Sequence, residues 1–369
     1  VAGRLYRSPA TSSIVQSQST FAVFIPAYKE DGIIVEVAQE ALKQSYPQDK
    51  YEVVVIADSL QPETLVSLRN LPITVVEVSF EKSTKVKALN KALDLLKGKY
   101  DHAVILDADN VMEFNFLEIL NNLHNQGYRA IQGRRAAKNK NNSLSLLDGL
   151  SEEINNHMLG KGSSALGLSA ALKGSGMSFD YDQLRIELAK MESVGGFDRE
   201  LELRLVNQNT RVKYAHNVVV FDEKVEKSEV FENQRKRWIS SQFFYLKRYL
   251  FPGVIGFFKG KFAYCNSTVL RNIQLPRLIN LGLLTVLTII SILGSLIVPT
   301  LYEIWIAIAL ITYLSTALAI PNEYYGKPLL QAVFSLPKIF LKMFALLFKL
   351  KGANKKFIHT PHTSSRNKN

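Results

Sequence analysis

The sequence holds a single cysteine, Cys265, in 369 residues. An intrachain disulfide is therefore excluded, and a zinc site built on paired cysteines with it. Acidic residues are in deficit: 33 Asp and Glu stand against 45 Lys and Arg, a formal charge of +12. Such an excess suits phosphorylated substrates, anionic lipid or nucleic acid. No zinc-finger spacing and no aromatic RNA-binding signature accompanies it, which argues against nucleic acid. The basic residues gather at 82–99, 224–261 and from 349 onward. The last two clusters flank apolar segments, as expected at a cytoplasmic membrane face. Residues 1–20 are polar, rich in Ser and Thr, and carry no signal-peptide pattern. Val1 is not an initiator methionine, which leaves open a preceding segment with another membrane helix.

Strand and helix signals alternate along the first third of the chain. Phe21-Ala22-Val23-Phe24-Ile25 predicts a buried strand that ends at Pro26. A helix is expected over 33–44, closed by Ser45-Tyr46-Pro47. A second strand covers 51–56, with Asp58 just beyond it, and a third covers 73–78. The apolar spacing of Val86, Leu89, Ala92, Leu93 and Leu96 predicts a helix over 85–96. A fourth strand, 103–106, runs straight into Asp107-Ala108-Asp109. The alternation argues for an α/β domain with a mostly parallel sheet covered on both faces. Ligands collect at the carboxyl ends of such strands, where Asp58, Asp107 and Asp109 fall.

Two apolar segments follow, 278–298 and 301–320, separated by Pro299-Thr300. About 20 residues suffice to cross a bilayer, so the pair is expected to form a tight membrane hairpin. The Lys/Arg-rich approach places both of its ends in the cytoplasm. Segment 329–350 is apolar but carries Lys338, Lys342 and Lys349, with Pro337 near its middle. It reads as a helix lying in the headgroup region, as does 243–262 with Lys247, Arg248, Lys259 and Lys261 among aromatics. The expected organisation is a polar segment 1–20, an α/β domain 21–240, an interfacial region 241–276, a hairpin 277–321, and an interfacial helix with basic tail 322–369. A lipid bilayer is the expected partner.

Several short motifs stand in order along this frame. Phe24-Ile25-Pro26-Ala27-Tyr28-Lys29-Glu30 closes the first strand, and Val54-Val55-Ile56-Ala57-Asp58 the second. Lys85-Val86-Lys87-Ala88-Leu89-Asn90 opens a helix, and Gly174-Ser175-Gly176-Met177 is a glycine turn. Phe197-Asp198-Arg199-Glu200-Leu201-Glu202-Leu203-Arg204-Leu205 and Gln234-Arg235-Lys236-Arg237-Trp238 follow. The series resembles the membrane-bound family-2 glycosyltransferases of GT-A fold, which include synthases of cellulose, hyaluronan and bacterial surface polysaccharides. Even Phe357-Ile358-His359-Thr360-Pro361 looks like the family's C-termini.

The resemblance implies an inverting transfer of sugar from a nucleotide-diphosphate donor, UDP-linked by family frequency, to a hydroxyl of a glycan or lipid-linked acceptor. Pro26, Tyr28, Glu30, Asp58, Lys85, Lys87 and Asp107 would bind the nucleotide sugar. Asp109 would hold Mg²⁺ or Mn²⁺, which neutralises the leaving diphosphate. Gly174, Ser175, Gly176, Gln234, Arg237 and Trp238 would serve acceptor and diphosphate, with Trp238 stacking under a sugar and Arg237 forking onto phosphate. Asp198 would be the general base, since an alcohol is a poor nucleophile until its proton is taken. Glu200 and Glu202 are its rivals. The sequence departs from the pattern at Lys29, where the family has Asn, and at Phe197, where it has Glu. The implied location is the bacterial inner membrane, multi-pass, with the catalytic domain in the cytoplasm. Two spans are few for a polymer channel, so processive synthesis would call for an export or polymerisation partner. Transfer to a polyprenyl phosphate, and a non-catalytic membrane-tethered nucleotide-sugar binder, are the competing readings.

Overall fold

The computed structural model of the chain describes residues 1–8, 17–192, 195–297 and 301–348. Eight strands form one sheet: β1 (Phe21–Tyr28), β2 (Tyr51–Asp58), β3 (Thr74–Val78), β4 (His102–Ile105), β5 (Val111–Met112), β6 (Ala130–Ala137), β7 (Met177–Asp180) and β8 (Lys213–Asp222). Their order is β3-β2-β1-β4-β7-β6-β8-β5. The first four strands pair in parallel, as the alternation predicts. The other half departs from it. β7 runs antiparallel to both β4 and β6, β5 runs antiparallel to β8, and the sheet is mixed.

The period of two along β1 divides the core. Phe21, Val23 and Ile25 pack on one face with Ile34, Val37, Phe116 and Leu117. Ala22 and Phe24 pack on the other with Leu89, Leu93, Leu201 and Leu205. Helices thus cover both faces and leave the carboxyl ends of β1, β2 and β4 as the open edge. The antiparallel β7 adds to that edge. Its first residue, Met177, pairs with Ile105, the last residue of β4. The glycine turn that precedes β7 therefore lands beside Asp107.

A helix of 31 residues, Ser228–Phe258, leads away from the sheet and contains Pro252. It runs unbroken through 240–241, where the sequence suggested a boundary. Among the described residues one helix, Arg277–Gly294, is long and apolar enough to cross a membrane. Tyr302–Ala317 is apolar but has only 16 residues, about 24 Å of helix against a hydrocarbon core of about 30 Å. The two run side by side in opposite directions, with Thr285 Oγ1 2.5 Å from the Tyr313 hydroxyl and Thr288 Oγ1 donating to the Trp305 carbonyl at 3.5 Å. Pro299-Thr300, expected to turn between them, and the tail motif at 357–361 lie outside the described residues. The apolar segment near 329–350 is two helices, Lys327–Phe334 and Leu336–Leu347, meeting at 46°. Pro337, two residues past the break, has no N–H to continue a helix from the first into the second.

Candidate active site

Asp107 is the centre of the open edge. Its backbone N–H donates to Ser175 Oγ at 2.9 Å, which ties the end of β4 to the glycine turn. Its carboxylate is 35% exposed and forms an ion pair with Lys85. The Lys85 ammonium also donates to the Gly174 carbonyl at 2.9 Å and lies 5.2 Å from the centre of the Phe197 ring. Phe197 thus supplies an aromatic face to this lysine, a charge–quadrupole contact.

Asp198 approaches from the other side. Gly174 has φ +84°, and a Cβ there would stand 3.6 Å from Asp198 Oδ2. A glycine thus suits both the backbone turn and the close approach of the carboxylate. Asp198 Oδ1 accepts the backbone N–H of Arg199 at 2.9 Å. Burial, together with the nearby Asp107 carboxylate, raises the Asp198 pKa above the ordinary carboxylate value, against the pull of Arg199 and Lys85. Arg237 is also within electrostatic reach of Asp107 and Asp198, and burial lowers its pKa. Gln234, one turn earlier on the same helix, has a buried Oε1 with no hydrogen-bond partner. Asp107, Asp198, Lys85, Gly174 and Arg237 are therefore brought together from five separate chain segments.

Other expected residues take different places. Lys87 points away: its ammonium donates to the Lys82 carbonyl at 3.1 Å and lies 5.9 Å from the Phe80 ring centre. Ser175 is fully buried and donates to Asn110, so it braces the turn from behind. Gly176 serves packing, since a Cβ there would meet Val220 Cγ1 at 2.6 Å. Trp238 is 41% exposed, with the Arg235 guanidinium 4.5 Å from its ring centre. Asp58 is buried at the end of β2 and accepts the Ser59 hydroxyl at 3.0 Å. Pro26 and Tyr28 end β1, and the Lys29 ammonium lies 5.3 Å from the Tyr28 ring centre. The carbonyl of Glu30 accepts the N–H groups of Ile33 and Ile34 where the next helix begins.

Asp109 is buried beneath the turn. Oδ1 accepts from the Asn110 amide at 2.9 Å, and Oδ2 accepts the Glu223 N–H at 3.1 Å. Its carbonyl accepts from the Lys138 ammonium. These bonds fix the carboxylate on the turn. Among the described residues no group of three or more His, Cys, Asp or Glu is gathered. Two hard carboxylates on one turn, one partly exposed and one fixed, suit in type a divalent cation that completes its shell with phosphate oxygens and water.

Gln132 is a residue the motifs missed. It is fully buried; its amide donates to the Ser175 carbonyl at 2.9 Å and its Oε1 accepts the Lys173 N–H at 2.9 Å. It clamps the glycine turn from both ends. Its only sequence signal is a polar residue inside Ala130-Ile131-Gln132, a weak one.

The model of the glycosyltransferase-like family 2 matches residues 18–241. No curated protein sequence matches the chain. Among solved structures, the mannosyltransferase PcManGT from Pyrobaculum calidifontis, in complex with GDP-Man and Mn²⁺, is 18% identical with a TM-score of 0.53 over 86% of this chain and 91% of that one. The glucosyl-3-phosphoglycerate synthase of Mycobacterium tuberculosis, with Mn²⁺, UDP and phosphoglyceric acid, is 16% identical with a TM-score of 0.41 over 60% and 76%. TarS of S. aureus is 16% identical with a TM-score of 0.40 over 59% and 38%. At such identities the first of these likenesses speaks for the fold. The matched residues run from just before β1 to just past Trp238 and take in the whole open edge, and on that match the chain belongs to the glycosyltransferase-like family 2.

Proposed function

We propose that the protein is an inverting, divalent-metal-dependent glycosyltransferase that moves a sugar from a nucleotide-diphosphate donor to an acceptor hydroxyl at a membrane surface. The observation that carries this reading is the approach of the Asp198 carboxylate to Gly174, across from the Lys85–Asp107 pair. A carboxylate with a raised pKa beside a cation able to face phosphate is what a general-base transfer calls for. The nucleotide would lie over the ends of β1 and β2 against Asp58, with its diphosphate facing Lys85 and Arg237. Asp107 and Asp109 would hold Mg²⁺ or Mn²⁺, which supplies charge neutralisation to the departing diphosphate.

In the transfer, the acceptor oxygen forms its bond to the anomeric carbon as the bond from that carbon to phosphate breaks. The hydroxyl proton passes to Asp198, and a single displacement inverts the anomeric centre. Lys85 and Arg237 stabilise charge that grows on the leaving group, an effect strongest where water is excluded. UDP is the proposed nucleotide, and bacterial surface polysaccharide the proposed setting. The apolar Arg277–Gly294 helix supports a membrane-tethered enzyme; the cytoplasm is the proposed side for its catalytic domain, from the basic flanks.

The test is transfer and hydrolysis by the purified full chain with UDP- and GDP-sugars and Mn²⁺. Release of nucleotide that requires the metal and vanishes in Asp198→Asn supports the reading. Parental release in EDTA, or none with any nucleotide sugar, overturns it.

A further inference from the structure

Among the described residues, three other than glycine hold a left-handed backbone: Lys29 with φ 56°, Ser59 with φ 59° and Asn209 with φ 63°. Asn tolerates that conformation, whereas lysine and serine adopt it seldom and at a cost. The first two stand side by side. Tyr28 pairs with Asp58 at the carboxyl ends of β1 and β2, and the Lys29 N–H donates to the Asp58 carbonyl at 3.1 Å. Backbone strain gathered at one spot points to a ligand there more than to packing.

The period of two says which face these strand ends present. Phe24 on β1 and Val54 and Ile56 on β2 pack with Leu89 and Leu201, which belong to the helices that carry Lys85 and Asp198. Tyr28 and Asp58 continue those rows, so both fall on the catalytic face. Lys29 is exposed and folds over the same face, its ammonium 5.3 Å from the centre of the Tyr28 ring. It forms no ion pair among the described residues; the Asp31 carboxylate accepts the Gln61 N–H at 2.7 Å instead. Asp58 Oδ1 accepts the Ser59 hydroxyl at 3.0 Å, and no donor of the described residues reaches Oδ2. A cation and a carboxylate thus stand at neighbouring strand ends without neutralising each other.

A nucleobase can satisfy both groups at once. Uracil and guanine present a ring N–H next to a carbonyl oxygen, and cytosine and adenine present a bare ring nitrogen next to an amino group. A carboxylate only accepts and an ammonium only donates. Uracil or guanine therefore matches the two groups at both atoms, while cytosine or adenine meets a lone pair at the carboxylate and a donor at the ammonium. We propose that Lys29 is a specificity-determining residue of the donor site: its ammonium takes the carbonyl oxygen of a uracil or guanine nucleotide whose adjoining N–H goes to Asp58. The proposal rests on the glycosyltransferase reading and deepens it at the nucleoside end of the site.

The experiment titrates the full chain in neutral detergent, with Mn²⁺ present, against UDP, GDP, CDP and ADP by calorimetry. The parent should bind the tighter of UDP and GDP at least about tenfold more tightly than CDP and ADP, the discrimination expected of a paired base contact. Lys29→Asn removes the cation with a residue that suits the left-handed backbone, so melting should stay parental. It should lose most of the preference by weakening UDP and GDP about tenfold, while CDP and ADP change less than about twofold. Lys29→Arg, which keeps a donor cation, should keep part of the preference. An equal fall for all four nucleotides in Lys29→Asn would assign Lys29 to phosphate or ribose and overturn the proposal. So would an unchanged preference in that variant, or a parent that binds CDP or ADP as tightly as the others. A parent that binds none of the four would sink the glycosyltransferase reading itself, and the proposal with it.

Discussion

Arg199, the residue after the proposed base, donates a hydrogen bond to Oδ1 of Asn272, in the segment that leads into the apolar helix. Asn272 is fully buried, and its amide is fixed by the carbonyls of Ser267 at 3.0 Å and Thr268 at 2.8 Å. Further along the Asp198 helix, Glu202 accepts from Ser267 and Arg271, each at 2.7 Å. Tyr245 donates to Glu200 at 3.3 Å. The segment beyond the matched family domain therefore holds the helix that carries the base. Asn272→Ala should lower kcat on the order of tenfold with little change in donor KM, because a small misplacement of a reacting group is expensive in rate. Steady-state kinetics decide it, and an unchanged kcat would remove the coupling.

Asp198→Asn should cost roughly 10²- to 10⁴-fold in turnover, the range for a lost general base, with nucleotide-sugar affinity kept. Because burial raises its pKa and the base acts deprotonated, the acid limb of the rate should lie above that of an ordinary Asp carboxylate. Glu200→Gln and Glu202→Gln should act on stability instead. Both residues are buried in ion pairs, Glu200 with Arg204 at 2.8 Å and Glu202 with Arg271 at 2.7 Å, and removing one partner of such a pair costs about 3–5 kcal/mol. A dead Glu202→Gln that melts like the parent, beside an active Asp198→Asn, would reassign the base.

The two aspartates of the turn should separate by readout. Asp107→Ala should weaken Mn²⁺ and nucleotide binding with melting near the parental value, since its carboxylate is partly exposed. Asp109→Ala should lose metal binding and lower the melting temperature together, because it also anchors Asn110 and the Glu223 N–H. Calorimetry with Mn²⁺ beside thermal melts distinguishes them. Equal melting of both variants would mean that Asp109 is no anchor.

The parallel half of the fold was legible because β1, β2 and β4 are buried on both faces and read as continuous apolar runs. β7 was not, since Met177-Ser178-Phe179-Asp180 is too short to show a period and pairs antiparallel between two distant strands. At the site, Asp107 and Lys85 were legible as motif residues next to a strand end and a helix start. That Lys87 turns away was not, because helix spacing fixes a direction only once the neighbouring loop, here Phe80 to Lys82, is in place. The buried charges around Glu152 were invisible for another reason. Arg135, Glu152, Lys173, Lys224 and Arg277 lie far apart in sequence, and only the pairing of β6 with β8 and the return of the apolar helix unite them.

The last prediction concerns acid stability. His102 and His124 stack with ring centres 3.7 Å apart and planes 8° from parallel. His124 donates from Nδ1 to the Tyr128 carbonyl at 2.7 Å and accepts the Ser178 hydroxyl at Nε2 at 2.8 Å, so it is held neutral. Burial, with His102 alongside, pushes its pKa down to about 3. Burial lowers that of His102 as well, against the pull of Asp101 and Asp180. Both folded-state values lie below the unfolded value of about 6.5. The unfolded chain therefore binds protons first as pH falls, and stability that is complete above about pH 6.5 drains away toward pH 3. The loss should be on the order of a few kcal/mol for the pair. Melting temperatures of the full chain should fall steadily from pH 6.5 to 4.5. His102→Phe, which keeps an aromatic ring in the stack but cannot titrate, should make that fall shallower. If parent and variant melt with the same pH slope, the stacked pair is not the source of acid sensitivity.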